Sequence, residues 1–255
     1  MRVPWTPAWL GLALLGCGGA AATTPVAPTP VEDAAPLDPD DDGDDGEDDD
    51  GVELVSDRGR IDPEVAAARV APHAAALNDC YTQNLARRRW LGGTVELTWV
   101  VAVDGKLSGV RLSQSDLGAW PIERCLLEVA AGVNFGKPQG HGPAEVTFPV
   151  SFAGGGAAVG WDDDQAQAAV GGKPSELRAC AKPGGGDPYD VAITIYVGTR
   201  GAVQSVGFAG PQPLAPAWAD CAAAKIAAWK LPDPRGKIAK LQFTYNPVAI
   251  DDDAG

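Results

Sequence analysis

The sequence predicts an α+β fold of two tandem domains, each running helix, β-hairpin, helix, strand, with the helices on one face of a small antiparallel sheet. Three observations predict it. The body of the chain repeats itself once at an offset of 96 residues. Within each copy, period-two alternation gives way to apolar spacings of three and four. Asp104-Gly105 also sits between two alternating runs, a residue pair that favours a tight hairpin turn.

The first copy opens on Asp62-Pro63, an N-cap residue followed by proline at the first helical position. Val65, Ala68, Ala76, Leu77, Cys80, Tyr81 and Leu85 then predict a helix, broken or kinked at Pro72. Val95, Leu97, Trp99, Val101 and Val103 alternate with Thr94, Glu96 and Thr98, which predicts a half-buried strand. The return strand carries Val110 and Leu112. A second helix is expected from about Pro121, with Ile122, Cys125, Leu126, Val129 and Val133 along one side. The closing strand, Glu145 to Phe152, puts Val146, Phe148, Val150 and Phe152 on one face.

The second copy repeats this order. Val95, Leu97, Trp99 and Val101 map onto Val191, Ile193, Ile195 and Val197, Gly105 onto Gly201, and Cys125 onto Cys221. Phe135-x-x-Pro138 answers Trp229-x-x-Pro232, and Phe148, Val150 and Phe152 answer Leu241, Phe243 and Tyr245. Its first helix, from about Asp162 to Cys180, is expected to break at Gly171-Gly172-Lys173-Pro174.

At the N-terminus, Arg2 precedes an apolar run from Trp9 to Leu15 that closes on Gly16-Cys17. The run is shorter than the roughly 20 apolar residues of a membrane-crossing helix and has the proportions of a secretory signal. Its end resembles a bacterial lipobox, which implies acylation of Cys17. Residues 32–53 carry thirteen acidic side chains and no basic one, against a formal net charge of −14 for the whole chain. Such a stretch buries too little apolar surface to offset its ordering entropy and is expected to be an extended tether. The same charge opposes nucleic-acid binding. The expected organisation is a signal peptide (1–16), a lipid-anchored acidic tether (17–57), a first domain (58–153), a Gly/Ala linker (154–160), a second domain (161–247) and an acidic tail (248–255).

With Cys17 lipidated, Cys80, Cys125, Cys180 and Cys221 remain. In an oxidising compartment an even set reads as disulfides, and four cysteines allow three pairings. Equivalence of the two copies favours Cys80–Cys125 and Cys180–Cys221, each stapling the two helices of one domain.

Ile61-Asp62-Pro63-Glu64-Val65, Cys80-Tyr81, Gly93-x-Val95, Asp104-Gly105, Ser113, Ser115, Cys125, Phe135-x-x-Pro138 and Phe148-Pro149-Val150-x-Phe152 follow one pattern. It resembles the C-terminal domain of the AgmX/PglI gliding-motility type, itself similar to the TonB C-terminal domain. The resemblance covers residues 61–152. The second copy is more divergent, with Ala181 where a tyrosine would follow the cysteine. It implies a compact protein-binding domain of the cell envelope. An energy-coupling role does not carry over, because the expected signal would be cleaved.

Signs of catalysis are few. His73 lies in the expected first helix and His141 in a Gly-Pro loop, without metal-pair spacing. Gln204-Ser205-Val206-Gly207 falls within a strand, unlike a nucleophile elbow. The runs Gly154–Gly156 and Gly184–Gly186 lack the lysine of a phosphate loop. Asp38, Asp40, Asp42 and Asp49 partly match a calcium loop, but position twelve is Asp instead of Glu and position eight is Asp45.

The function expected is therefore that of a non-catalytic envelope lipoprotein with no cofactor and no small-molecule substrate. The lipid would hold it to a membrane, with the outer membrane and a periplasm-facing body favoured by Gly18 after the acylated cysteine. An unidentified envelope protein would bind by strand addition to an exposed sheet edge. The last strand of each copy is the expected edge, with Glu145, Thr147, Pro149 and Ser151 as candidate contact residues. The alternatives are a spacer lipoprotein whose acidic tether attracts calcium, and an enzyme with an unfamiliar site.

Overall fold

The Asp62 side chain opens helix α1 (Pro63–Val70) by accepting from the Glu64 and Val65 amides at 2.8 and 3.2 Å. In this computed structural model residues 58–156, 158–181 and 187–247 are described. The expected signal peptide, Cys17, the acidic stretch with Asp38, Asp40, Asp42 and Asp49, the run Gly184–Gly186 and the tail 248–255 lie outside the described residues.

Pro72 interrupts the first helix, because it lacks an N–H and crowds the preceding turn. The chain passes through a 3-10 turn, Ala71–His73, before α2 (Ala74–Leu85). Strands β1 (Gly93–Val101) and β2 (Leu107–Ser115) form the hairpin, α3 (Trp120–Ala130) follows, and β3 (Ala144–Phe152) closes the half. The sheet order is β2-β1-β3, antiparallel throughout.

The second half contains β4 (Val159–Gly160), α4 (Asp163–Val170), a 3-10 stretch (Lys173–Cys180), β5 (Val191–Val197), β6 (Val203–Ala209), α5 (Pro216–Ala227) and β7 (Ala239–Tyr245). Its order is β4-β7-β5-β6, with β4 parallel to β7 and the other pairs antiparallel. Among the described residues the fold class is α+β, with five α-helices and two small sheets.

Alternation sets each core. Val95, Leu97, Trp99 and Val101 are fully buried, as are Val191, Ile193, Ile195 and Val197. The Trp99 indole donates to the Ala130 carbonyl at 2.8 Å and so ties β1 to the end of α3. Disulfides Cys80–Cys125 and Cys180–Cys221 each join the two helical segments of one half, the pairing that the repeat favours.

Four sequence expectations change. Val65 is 45% exposed, and Ala66 and Val70 take the buried side of α1 instead. Val103 is 55% exposed because β1 ends at Val101 and the turn begins. His73 ends the short 3-10 helix between α1 and α2 and is not within an α-helix. Residues 159–160, expected within a linker, are the strand β4.

The described residues belong to one compact unit, and the halves meet along β2, α3, β5 and β6. Gly210 N–H donates to the Leu112 carbonyl at 2.8 Å. Ser205 donates to the Gly118 carbonyl at 2.7 Å and the Tyr196 hydroxyl to the Gly92 carbonyl at 3.0 Å. Trp90 packs on the Tyr196 ring, and Lys240 pairs with Asp116 at 2.9 Å.

Candidate binding surface

The exposed side of the first sheet is a polar ladder. Thr98, fully buried among its neighbours, bonds to Ser113 at 2.8 Å and Thr147 at 3.0 Å, so one hydroxyl on β1 links both flanking strands. Thr94 and Ser151 are 2.9 Å apart. Arg111 reaches from β2 across β1 to Glu145 on β3 at 2.8 Å. Glu145, Thr147, Pro149 and Ser151 are all exposed.

The outer edge of β3 has a defined backbone direction. In an antiparallel ladder, both main-chain groups of a residue point to one side, and the side alternates along the strand. The Thr94 carbonyl accepts from Asp116 on the β2 side, so even-numbered residues of β1 face β2 and odd-numbered ones face β3. Through the pairs Val95–Val150 and Leu97–Phe148, the even-numbered residues of β3 face β1. The carbonyl of Pro143, one residue before β3, faces outward to the Gly59 amide at 3.0 Å, in the same phase. Glu145, Thr147 and Ser151 therefore turn N–H and C=O outward, and Pro149 turns its C=O. Pro149 costs the sheet no ladder bond, because its missing donor lies on the outer side.

The other sheet margins differ. β2 lies against β6 at the seam. β7 borders β4 through Val159–Ala239 and Gly160–Lys240, which corrects the expectation that the last strand of each half is an edge. Among the described residues, β3 is a last strand with no strand on its outer side.

The seam contains a group not anticipated from sequence. Glu123 on α3 is fully buried and accepts from the Ser115 hydroxyl and the Phe208 amide, each at 2.7 Å. Burial raises its pKa to about 7, against the pull of these donors and of the Ala119 and Gly118 amides. A Cβ on Gly207 would lie 2.2 Å from Glu123 Oε1, so only glycine leaves room for the carboxyl group. At the rim, Trp120 donates to Asp220 at 2.7 Å, and Arg124 pairs with the same carboxylate at 3.2 Å.

Among the described residues, two concavities stand out. One, of about 290 Å³, lies beside the polar ladder, lined by Thr94, Glu96, Ser113, Asp116, Ala192 and Gln242 among others. The other, of about 420 Å³, is lined by Trp161, Gln165, Pro232, Asp233, Pro234 and Arg235 among others. Neither contains a histidine; His73 is half-buried and His141 exposed. Among the described residues no three His, Cys, Asp or Glu side chains gather as a metal site, and no helix is long and apolar enough to cross a membrane. Ser205 is buried in β6 and donates at the seam.

The structure thus brings Glu145, Thr147, Pro149 and Ser151 together on one edge strand, and places the four paired cysteines away from it in the helical layer. No family model, curated protein or solved structure matches the chain.

Proposed function

We propose that this is a non-catalytic lipoprotein of the bacterial envelope, tethered through Cys17, whose body captures a protein partner by strand addition at β3. The observation that carries this reading is the outer edge of β3, with the main-chain groups of Glu145, Thr147 and Ser151 turned outward and no strand beside them among the described residues. Main-chain bonds to such an edge supply affinity, and side chains flanking it supply selectivity. The chemistry suited to it is an extended segment with alternating polar and apolar residues. The former would meet Thr147 and Ser151, and the latter the rim formed by Phe148 and Val150.

The element order helix, hairpin, helix, strand is the order implied by the TonB-like resemblance of residues 61–152, which supports a binding role in a motility or envelope complex. The two disulfides suit an oxidising compartment. A crosslinking capture from envelope membranes, run with the wild type and with Thr147→Pro, tests the proposal. Proline there removes an outward donor and leaves the β1 ladder intact. One stoichiometric partner held by the wild type and lost by the folded variant is expected. Equal capture by both refutes strand addition.

A further inference from the structure

We infer that the cavity of about 420 Å³ between α4 and the loop 232–236 is a saccharide-binding site, which takes one pyranose unit of a neutral glycan on the Trp161 ring. The site belongs to the second half of the body and is independent of strand addition at β3.

The repeat supplies the first argument, because the two halves treat equivalent stretches differently. Asp62 and Asp162 cap equivalent helices, and Pro138 answers Pro232. The segment before Asp62 and the loop after Pro138 are thus the counterparts of two walls of the cavity. In the first half these stretches bond to each other. Arg60 and Gln139 exchange two main-chain bonds at 2.8 Å, and the Gly59 amide donates to the Pro143 carbonyl at 3.0 Å. In the second half the Val159 and Trp161 amides donate instead to the Ile238 and Lys240 carbonyls, each at 2.8 Å, as β4 joins β7. Among the described residues no main-chain bond then ties residues 159–161 to the loop 232–236, and the cavity lies between them.

The lining gives the second argument. Trp161 is half-buried, packed on the second core and bordering the cavity, and Pro232 and Pro234 add apolar wall. Gln165 uses its side-chain oxygen on the Asp162 amide at 3.3 Å and keeps both N–H donors. Asp233 gives one carboxylate oxygen to the Arg235 amide at 2.9 Å and keeps the other as an acceptor. Arg235 is exposed and, among the described residues, has no carboxylate partner. An aromatic wall with a few convergent polar groups is the composition of a small-ligand site. A pyranose matches each group. Its C–H face is apolar and electropositive, and stacks on the negative face of the indole. Each hydroxyl donates and accepts, so the donors of Gln165 and Arg235 and the free Asp233 oxygen all find a partner. The formal charges of Asp233 and Arg235 cancel, and Asp163 and Asp164 in the first turn of α4 disfavour an anion. A polyproline segment, which has no N–H, would leave Asp233 without a donor.

The backbone gives the third. Arg235 has φ +55°, in the left-handed region that glycine adopts without strain and a residue with a Cβ does not. Pro232 and Pro234 stiffen the loop on either side of Asp233, and the bond from the Arg235 amide to Asp233 pins the turn. An arginine held at a strained position in a stiff loop, beside an aromatic-walled cavity, is accounted for by a ligand that it contacts.

The test is NMR titration of the full chain with cellotriose, maltotriose and triacetylchitotriose, reading the Trp161 indole N–H resonance, with decaproline as the contrasting ligand. A saturable shift of Trp161 with at least one saccharide is expected, with the buried Trp99 resonance unmoved. Arg235→Gly should weaken that binding at least ~10-fold, the loss of a hydrogen bond from a charged donor. Its urea midpoint should stay equal or rise, because glycine relieves the left-handed φ. No saturable shift with any of the three saccharides overturns the inference, as does equal affinity in Arg235→Gly. Binding lost only together with a lowered midpoint overturns it as well. A saturable shift with decaproline alone assigns the cavity to a polyproline partner and overturns the saccharide reading.

Discussion

Replacing Glu123 by glutamine should abolish a specific pH dependence of stability. Burial raises the Glu123 pKa from 4.5 to about 7, so the folded protein holds this proton more tightly than the unfolded chain. For a raised pKa, the stabilisation is complete below the unfolded value and is lost as pH climbs through the folded one. The window is thus about pH 4.5 to 7. A difference of about 2.5 units at about 1.4 kcal/mol per unit amounts to roughly 3 kcal/mol, a large share of a typical domain's stability. Glutamine is neutral at every pH and nearly isosteric. Its oxygen can still accept from Phe208 N–H, and its amide can donate to the Ser115 hydroxyl, which rotates to accept. Urea unfolding at pH 5 and pH 8 measures the effect. The wild type should lose roughly 2–3 kcal/mol more than Glu123→Gln between these values, since pH 5 already lies inside the window, all other titrations being common to both. An equal loss in the two proteins, or a wild type that gains on Glu123→Gln toward pH 8, would refute a buried, proton-holding seam.

Other perturbations test the rest of the framework. Gly207→Ala drives a methyl group into the Glu123 carboxyl group and should destabilise by about 1–3 kcal/mol in the same urea assay. Converting Cys80 and Cys125 to serine opens a link across 45 residues and should cost about 4 kcal/mol in the chain-entropy account, read as a lower denaturation midpoint. Trp99→Phe keeps an aromatic ring but removes the indole bond to the Ala130 carbonyl, which keeps the Val133 amide as donor, and leaves space in the core, so about 1–3 kcal/mol should be lost. Arg111→Met should change stability far less than Trp99→Phe, because its Glu145 partner is more than half exposed to water.

The repeating strands were legible because burial on one face imposes a period of two. Val95, Leu97, Trp99 and Val101 carry that period openly. Asp62-Pro63 marked the start of α1, and Pro72 its interruption, for reasons local to each residue. The disulfides followed from equivalence of the copies, since each cysteine holds the same place in its half. Val65 and Val103 misled because an apolar residue near an element's end satisfies a pattern without being covered.

The seam was not legible. Glu123 joins Phe208 across 85 residues, and a glutamate beside Ile122 on a helix reads as a solvated position. Gly207 likewise reads as a weak strand residue until the carboxyl group beside it is seen. β4 is two residues long, too short to show any period. The candidate edge was half legible. Pro149 indicated a marginal strand, but the outward sense of the Glu145, Thr147 and Ser151 main chain depends on the Thr94–Asp116 and Gly59–Pro143 contacts. That sense gives an otherwise ordinary edge its capacity to pair.

The most direct measurement of the central claim is site-specific photocrosslinking in envelope membranes, with the reactive side chain placed at Thr147 or, on a separate exposed surface loop, at Tyr189. Strand addition predicts a discrete crosslinked partner from position 147, joined through an extended segment, and none from position 189. A partner that crosslinks equally at both positions, or at 189 alone, would contradict the assignment of β3 as the binding edge.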